Sequence, residues 1–404
     1  MPDGSQSEMN VPIKQHLIDP EICIRCHSCE EACPVDAITH DDNNVVVDAA
    51  TCNFCMDCIG PCPTGSIDNW RVVLKPYTLD EQFSWTELPK QEDIETGTGN
   101  GTVEALEDDV ERLLAEAHQG AGGRARAPDS AAKPTVNMYS RRDPAIATVQ
   151  GSYRLTAADS DSEVRHIVLD LGRTVFPVLE GQSVGVLAPG AAANGQPHAP
   201  RLYSVSSPRD GERPNTNNLS LTVKREPGGV CSNYLCDLQK GDQVRLSGPF
   251  GSTFLMPDDP ATDIVMVCTG TGSAPFRAFT MRRQRTAGDR GGRLTLFFGA
   301  RSPDSLPYFG PLQKIPDSVM TKHLVFSRLA GRPKEYVQDR MLAEADSLAA
   351  ALADDRTHVY VCGLKAMEDG VERAFETIAG GAGLDWPSLK ARMRDAGRYH
   401  VETY

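Results

Sequence analysis

Eight of the twelve cysteines in this 404-residue chain fall into two runs of one form, C-x2-C-x2-C-x3-C-P. The first is Cys23, Cys26, Cys29 and Cys33 before Pro34; the second is Cys52, Cys55, Cys58 and Cys62 before Pro63. Three thiolates spaced two residues apart on a tight loop can wrap three irons of a cubane, while the fourth, aimed differently by the proline turn, reaches the other cluster. Two 4Fe-4S clusters are expected, one on Cys23, Cys26, Cys29 and Cys62, the other on Cys52, Cys55, Cys58 and Cys33. Structural zinc is the rival reading, but zinc sites use C-x-x-C pairs or mixed Cys/His sets and have no need of paired Cys-Pro ends. His27, inside the first loop, reads as a surface side chain rather than a ligand. Cys33-Pro34-Val35-Asp36-Ala37-Ile38 is echoed by Cys62-Pro63-Thr64-Gly65-Ser66-Ile67, so residues 1–75 read as one small pseudo-symmetric domain.

A chain of this length is too long for one ordinary domain. From Tyr77 to Gln119 it carries 12 Asp or Glu against only Lys90 and Arg112, and from Gly120 to Ala132 it is rich in Gly and Ala. That is a linker composition, assigned to residues 76–137. Within it Val103, Leu106, Val110, Leu113, Leu114 and Ala117 share one face at helical spacing and predict a single amphipathic helix. The formal charge of -14 argues against nucleic acid or an anionic membrane as partner. No apolar run is long enough to span a bilayer, and the N-terminus lacks the basic start and apolar stretch of a secretory signal. A cytoplasmic, reducing location is expected, which also suits thiolate ligation over disulfides.

Residues 138–257 turn to short β-rich segments such as Arg165–Leu171 and Leu219–Val223, separated by Gly and Pro, as in a small barrel. Residues 258–404 alternate apolar strands (Ile264–Cys268, Leu294–Phe298, His358–Cys362) with helical stretches, which predicts a parallel α/β sheet. The expected fold is thus multidomain α+β and α/β: a bacterial-type two-cluster module, an antiparallel β-barrel, and a parallel α/β sheet of the kind whose strand ends bind dinucleotides.

Two loops in the barrel carry the flavin reading. Arg201-Leu202-Tyr203-Ser204 is one; Lys224, Arg225 and Gly228-Gly229-Val230-Cys231-Ser232-Asn233-Tyr234-Leu235 form the other. A pyrophosphate needs charge-assisted donors, and glycines and a serine before a helix present backbone N–H groups to it. Together they resemble the R-x-Y-S strand and G-V-C-S-N-x-L loop of ferredoxin-NADP reductases. The resemblance implies that Arg201 meets phosphate, the Tyr203 ring covers the isoalloxazine and Ser204 reaches flavin N5. It also implies that Lys224, Gly229, Val230, Cys231 and Ser232 hold FAD rather than FMN. The stretch from Arg225 to Gly228 is shorter than in plant-type members, where an insertion helps hold the adenine.

The run Gly270-Thr271-Gly272-Ser273-Ala274-Pro275-Phe276-Arg277 follows an apolar strand and opens a helix. Its glycines admit a pyrophosphate and the helix N-terminus favours its charge. The full form resembles the pyridine-nucleotide loop of the same family, a likeness that runs from about Met138 to the end. By that resemblance Thr271 binds the cofactor, and Arg301, Ser302, Ser327 and Arg328 occupy the positions for the 2′-phosphate. Lys334 supports them, Tyr336 stacks on adenine and Gln338 belongs to the same set; a solvated basic face is the bland alternative for the charges.

Tyr360-Val361-Cys362-Gly363-Leu364-Lys365-Ala366-Met367-Glu368 resembles the family's C-G motif, and Tyr399-His400-Val401-Glu402-Thr403-Tyr404 its V-E-x-Y terminus. The resemblance gives Ser204, Cys362, Glu402 and Tyr404 catalytic positions: Cys362 helps place nicotinamide C4, Glu402 lies near the nicotinamide, and Tyr404 stacks on the flavin until displaced. An ordinary mobile tail is the alternative for the last residues.

The whole order of two cluster motifs, acidic linker and reductase resembles the reductase components of benzoyl-CoA oxygenase systems. The resemblance implies an NADPH-dependent flavin and iron-sulfur reductase that supplies a separate di-iron epoxidase in aerobic benzoate breakdown, with a homodimer as the family's habit. Two rivals stand beside it: a reductase running toward NADP from a low-potential donor, and a non-catalytic scaffold.

Overall fold

The computed structural model describes residues 13–21, 23–52, 58, 61–62, 66–67, 69–73, 75–89, 126–191 and 198–403. Cys55, Tyr404 and the expected helix between Val103 and Ala117 lie outside them. The chain divides into two compact units, residues 1–101 and 102–404.

The first unit is built from two small antiparallel pairs. Strand β1 (Ile13–Leu17) pairs with β4 (Asn69–Val73), and β2 (Ile38–His40) with β3 (Val45–Val47). Helix α1 (Ser28–Glu31) is a single turn inside the first cysteine run. So short a unit has little apolar surface to bury: Ile18, Ile38, Val45, Val47 and Ile67 close around the cysteines. Helix α2 (Leu79–Phe83) opens with a capping box between Thr78 and Glu81. Its buried Gln82 accepts from the Val47 N–H at 3.2 Å and donates to the Val47 carbonyl at 2.9 Å. Asn44 Nδ2 donates to the carbonyls of Gln82, Phe83 and Trp85. This packing carries the first unit past residue 75, where the sequence places the start of a linker.

In the second unit, six antiparallel strands form one sheet in the order β8-β7-β10-β5-β6-β9. They are β5 (Ala145–Arg154), β6 (Val164–Asp170), β7 (Ser183–Leu187), β8 (Arg201–Ser204), β9 (Asn218–Lys224) and β10 (Gln243–Phe250). An isolated bridge from Val205 to Leu221 joins the β8 end to β9 and closes the sheet on itself. The alternation of β5, buried at Ala145, Ala147 and Val149 with exposed residues between, is what a barrel wall requires. Helix α3 (Val230–Asp237) buries Leu235 and Cys236 against this core.

The remaining strands are parallel: β11 (Asp263–Thr269), β12 (Leu294–Ala300), β13 (Met320–Phe326), β14 (Thr357–Gly363) and β15 (Tyr399–Thr403), in the order β13-β12-β11-β14-β15. Central β11 and β14 read as continuous apolar runs because helices cover both faces. These are α4 (Ser273–Thr286), α5 (Phe309–Gln313), α6 (Val337–Ala343), α7 (Ala345–Ala353), α8 (Lys365–Gly381) and α9 (Trp386–Asp395). The fold class expected from the sequence is the one observed. Among the described residues no helix is long and apolar enough to cross a membrane.

Barrel and parallel sheet are joined by polar contacts. Arg277 on α4 grips Glu212 with bonds of 2.7 and 2.8 Å. Arg209 spans the fully buried Glu180 and Asp258, Arg285 reaches Asp210 at 2.5 Å, and the Tyr360 hydroxyl donates to the Leu255 carbonyl at 2.6 Å.

Candidate functional site

A cavity of about 920 Å³ opens between the barrel and the carboxyl ends of the parallel strands. It is lined by Arg201, Tyr203 and Ser204 of β8, by Lys224 at the end of β9, and by Gly229 to Ser232 at the start of α3. Thr271, Val401, Glu402 and Thr403 line it from the parallel sheet. Residues far apart in sequence meet here because β11, β12, β13, β14 and β15 all end on one side, at Thr269, Ala300, Phe326, Gly363 and Thr403.

The α3 entry is shaped for an anionic group. Gly229 caps the helix with no side-chain hydrogen bond, which leaves first-turn N–H groups pointing outward. A Cβ at Gly229 would stand 2.6 Å from Ser232 Oγ, so any side chain there would make that hydroxyl turn away. Asn233 pins the turn by donating to the carbonyls of Glu226 and Gly229 at 2.9 and 2.6 Å. Arg225 is spent on structure, bonded to Glu163, Asn233 and Asp237. Lys224 pairs with Glu226 at 2.5 Å at the cavity wall. Burial raises the Tyr203 hydroxyl and the Cys231 thiol, so both stay protonated at neutral pH. Ser183 Oγ donates to Ser204 Oγ at 3.5 Å.

At the other end, Cys362 sits beside Glu402 in the β14–β15 register and beside Cys268 in the β11–β14 register. Cys362 is 2 % exposed and packs in the core with Met266 and Phe276; Glu402 beside it lines the cavity. Burial first, and Glu402 second, push the Cys362 thiol well above its ordinary value. The glycine of the nucleotide loop is pressed against the same strand, since a Cβ on Gly272 would stand 2.2 Å from the Cys362 carbonyl oxygen.

The basic set lies on the loops after β12 and β13. These are laced together by bonds from Ser327 N to Ala300 O at 3.1 Å and from Arg328 N to Arg301 O at 2.8 Å. Ser302 begins a one-turn helix and is bonded to Ser305. Lys334 is exposed, the Tyr336 ring is 49 % exposed just before α6, and Gln338 on α6 packs over Gly370.

The sequence reading did not single out Lys365, Glu368 and Thr403, which line the cavity beside Glu402. Thr403 Oγ1 donates to Glu368, and Lys365 pairs with the same carboxylate at 2.7 Å. The signal was present in the Cys362–Glu368 segment, where one helical turn separates Lys365 from Glu368.

In the first unit, Cys29 and Cys58 are buried and Cys23, Cys33, Cys52 and Cys62 pack half-buried against the same apolar core. The Ala37 N–H donates to Cys33 Sγ at 3.2 Å. Burial pushes the Cys29 thiol up to about 11, while hydrogen bonds from Ser28 lower the exposed Cys26. An all-sulfur donor set in an apolar pocket with an N–H···S bond suits an iron-sulfur cluster, and cavity and loops suit FAD.

A closed barrel, a phosphate-shaped helix entry and a parallel sheet meeting at one cavity define a flavin- and pyridine-nucleotide-dependent oxidoreductase. Residues 160–254 match the oxidoreductase FAD-binding domain, residues 266–373 the oxidoreductase NAD-binding domain, and residues 16–39 the 4Fe-4S binding domain. The ferredoxin–NADP reductase of Thermosynechococcus vestitus is 39 % identical over 290 residues, 67 % of this chain and 75 % of that protein. That of a Spirulina species is 36 % identical over 67 % of this chain and 98 % of its own length. The solved ferredoxin-NADP+ reductase of Plasmodium falciparum shares the fold, with a TM-score of 0.54 over 67 % of this chain and 99 % of that one at 24 % identity. The chain belongs to the ferredoxin–NADP reductase family, as an NADP-dependent flavin oxidoreductase that carries a 4Fe-4S module ahead of its FAD and NADP domains.

Proposed function

We propose that this chain is an NADPH-dependent reductase with FAD and two 4Fe-4S clusters, whose electron acceptor is a partner protein, the di-iron oxygenase that epoxidises benzoyl-CoA. The observation that carries the reading is the fusion: eight cysteines in cluster spacing share one chain with a cavity lined by both flavin loops and the end of β15. FAD supplies the conversion of a hydride into single electrons, which is what a cluster can accept.

The residues then have separable tasks. The α3 entry and Arg201 bind the flavin phosphates, Tyr203 walls the ring site and Ser204 offers a hydroxyl there. Arg301, Ser302, Ser327 and Arg328 bind the 2′-phosphate, with Lys334, Tyr336 and Gln338 along the adenosine. Glu402, with Cys362 beside it in the sheet register, would orient the nicotinamide, and the resemblance gives Tyr404, outside the described residues, the flavin-stacking role. The cysteine runs hold the clusters in the crossed arrangement set out above.

A second reading runs the electrons the other way, toward NADP. It is favoured by the relatives, whose name is ferredoxin–NADP reductase. Anaerobic titration of the reconstituted chain with NADPH, following flavin and cluster absorption separately and with NADH as control, separates the two. Reduction of both cofactors, with NADPH far ahead of NADH, supports the outward direction. Bleaching of the flavin alone defeats it.

A further inference from the structure

We propose that His27, Glu30 and His40 form a binding site for a divalent transition-metal ion of the zinc class, on the first unit and distinct from the cysteine sites. Three elements bring the donors together: the turn between Cys26 and Cys29, helix α1, and the end of β2. Nδ1 of His40 is 2.7 Å from Glu30 Oε2 and Nδ1 of His27 is 3.4 Å from the same oxygen. The three donor atoms all lie within 4.8 Å of one another. Metal–ligand bonds of about 2.0–2.2 Å place the donors of a tetrahedral ion about 3.3 Å apart, so the two edges to Glu30 bracket that spacing and the third is within 4.8 Å.

His27 supplies a second, independent sign. Its Nδ1 is buried and has no hydrogen-bond partner, although its backbone is held at a φ of 58° that non-glycine residues seldom adopt. A buried imidazole nitrogen left without a hydrogen bond is costly, and a cation shared with Glu30 and His40 is the partner that satisfies it. The imidazole rings of His27 and His40 stand 4.0 Å apart at 53°, side by side. Side chains that remain 30–45 % exposed leave an entry path and a fourth position for water. Two imidazoles and one carboxylate select zinc, copper, nickel or cobalt over magnesium or calcium, which prefer oxygen alone. His27 is therefore more than the surface side chain that its place in the sequence suggests.

The test uses the full chain with its clusters loaded and oxidised, under argon, titrated with Co2+. In that state cubane clusters are diamagnetic, so the low-temperature EPR signal of high-spin Co2+ is read directly. Bound cobalt and iron are counted on the same samples. Expected are one Co2+ per chain, displaced by Zn2+ with no loss of iron, and affinity about tenfold or more weaker in both His40→Ala and Glu30→Gln. Unchanged iron content in both variants shows that they fold and keep their clusters. The proposal falls if no stoichiometric Co2+ binds, if both variants bind it as wild type does, or if iron leaves as cobalt enters, which would place the ion in the cysteine sites.

Discussion

The guanidinium groups of Arg301 and Arg328, which follow two different strands, stand 3.7 and 3.9 Å from the same carboxylate oxygen of Asp161. Two forks converging on one exposed oxyanion form the arrangement a 2′-phosphate would meet, with Asp161 in its place. Arg301→Ala and Arg328→Ala should each raise KM for NADPH about tenfold or more, in keeping with about 1.5–3 kcal/mol for a hydrogen bond to a charged group. KM for NADH should hardly move. Asp161→Asn should act in the opposite sense on NADPH. Steady-state diaphorase assays with both nucleotides check this, and equal losses with NADH would sink the assignment.

Gly272 has no space for a methyl group, because the Cys362 carbonyl oxygen occupies it. Gly272→Ala forces the nucleotide loop away from β14, at a cost of about 1–3 kcal/mol. Thermal unfolding should shift down, and stopped-flow flavin reduction by NADPH should slow. A variant with wild-type reduction rates would show that the close packing has no bearing on the site.

Glu212 is the centre of a buried network. Burial alone would raise its carboxyl, but bonds from His166 and Arg277 hold it well below the usual carboxylate range. The His166 ring also meets the Tyr308 hydroxyl at 2.9 Å, and that hydroxyl pairs with Thr222 at 2.6 Å. Glu212→Ala leaves Arg277 buried without its anion and should cost about 3–5 kcal/mol. Urea denaturation of the full chain measures this; a loss under about 1 kcal/mol, the range of an exposed pair, would contradict the burial argument.

Acid should weaken the parallel-sheet domain through His358 and His400. Burial, then Arg398, lowers His358 to about 4; burial, then the neighbouring His358, lowers His400 to about 3. The unfolded chain takes up these protons near pH 6.5, whereas the folded chain resists until far lower. Their contribution is complete above about pH 7 and falls as pH drops below about 6.5, by up to about 1.4 kcal/mol per pH unit per histidine. His358→Gln should flatten the dependence between pH 7 and 5 in chemical denaturation. An unchanged slope would rule the ring out as its source.

Much of this was legible in advance where local pattern dictates structure. The apolar runs at Ile264 and Leu294 became parallel strands because both faces are covered, and Gly228 and Gly270 take the positive φ of the turns the loops were expected to make. Thr403 and Glu368 were not legible as a pair. Their bond depends on β15 lying parallel to β14, a register that no local pattern encodes. The triad of His27, Glu30 and His40 was hidden for the same reason, since it needs β2 folded back on α1. The packing of Leu79–Phe83 on the first unit was masked by acidic composition, although Thr78 and Glu81 carry a capping box in their spacing.

The ties across the second unit have a consequence for how such proteins are assembled in evolution. Arg277 and Arg285 each take a carboxylate from across the domain boundary, Glu212 and Asp210, and the Tyr360 hydroxyl takes its acceptor there too. Separating barrel from sheet would strand charges that each half keeps dry for the other. Gene rearrangement can therefore shuffle these two domains only as a block, and a chimera cut between residues 257 and 263 would have to bring both sides of every pair from one parent.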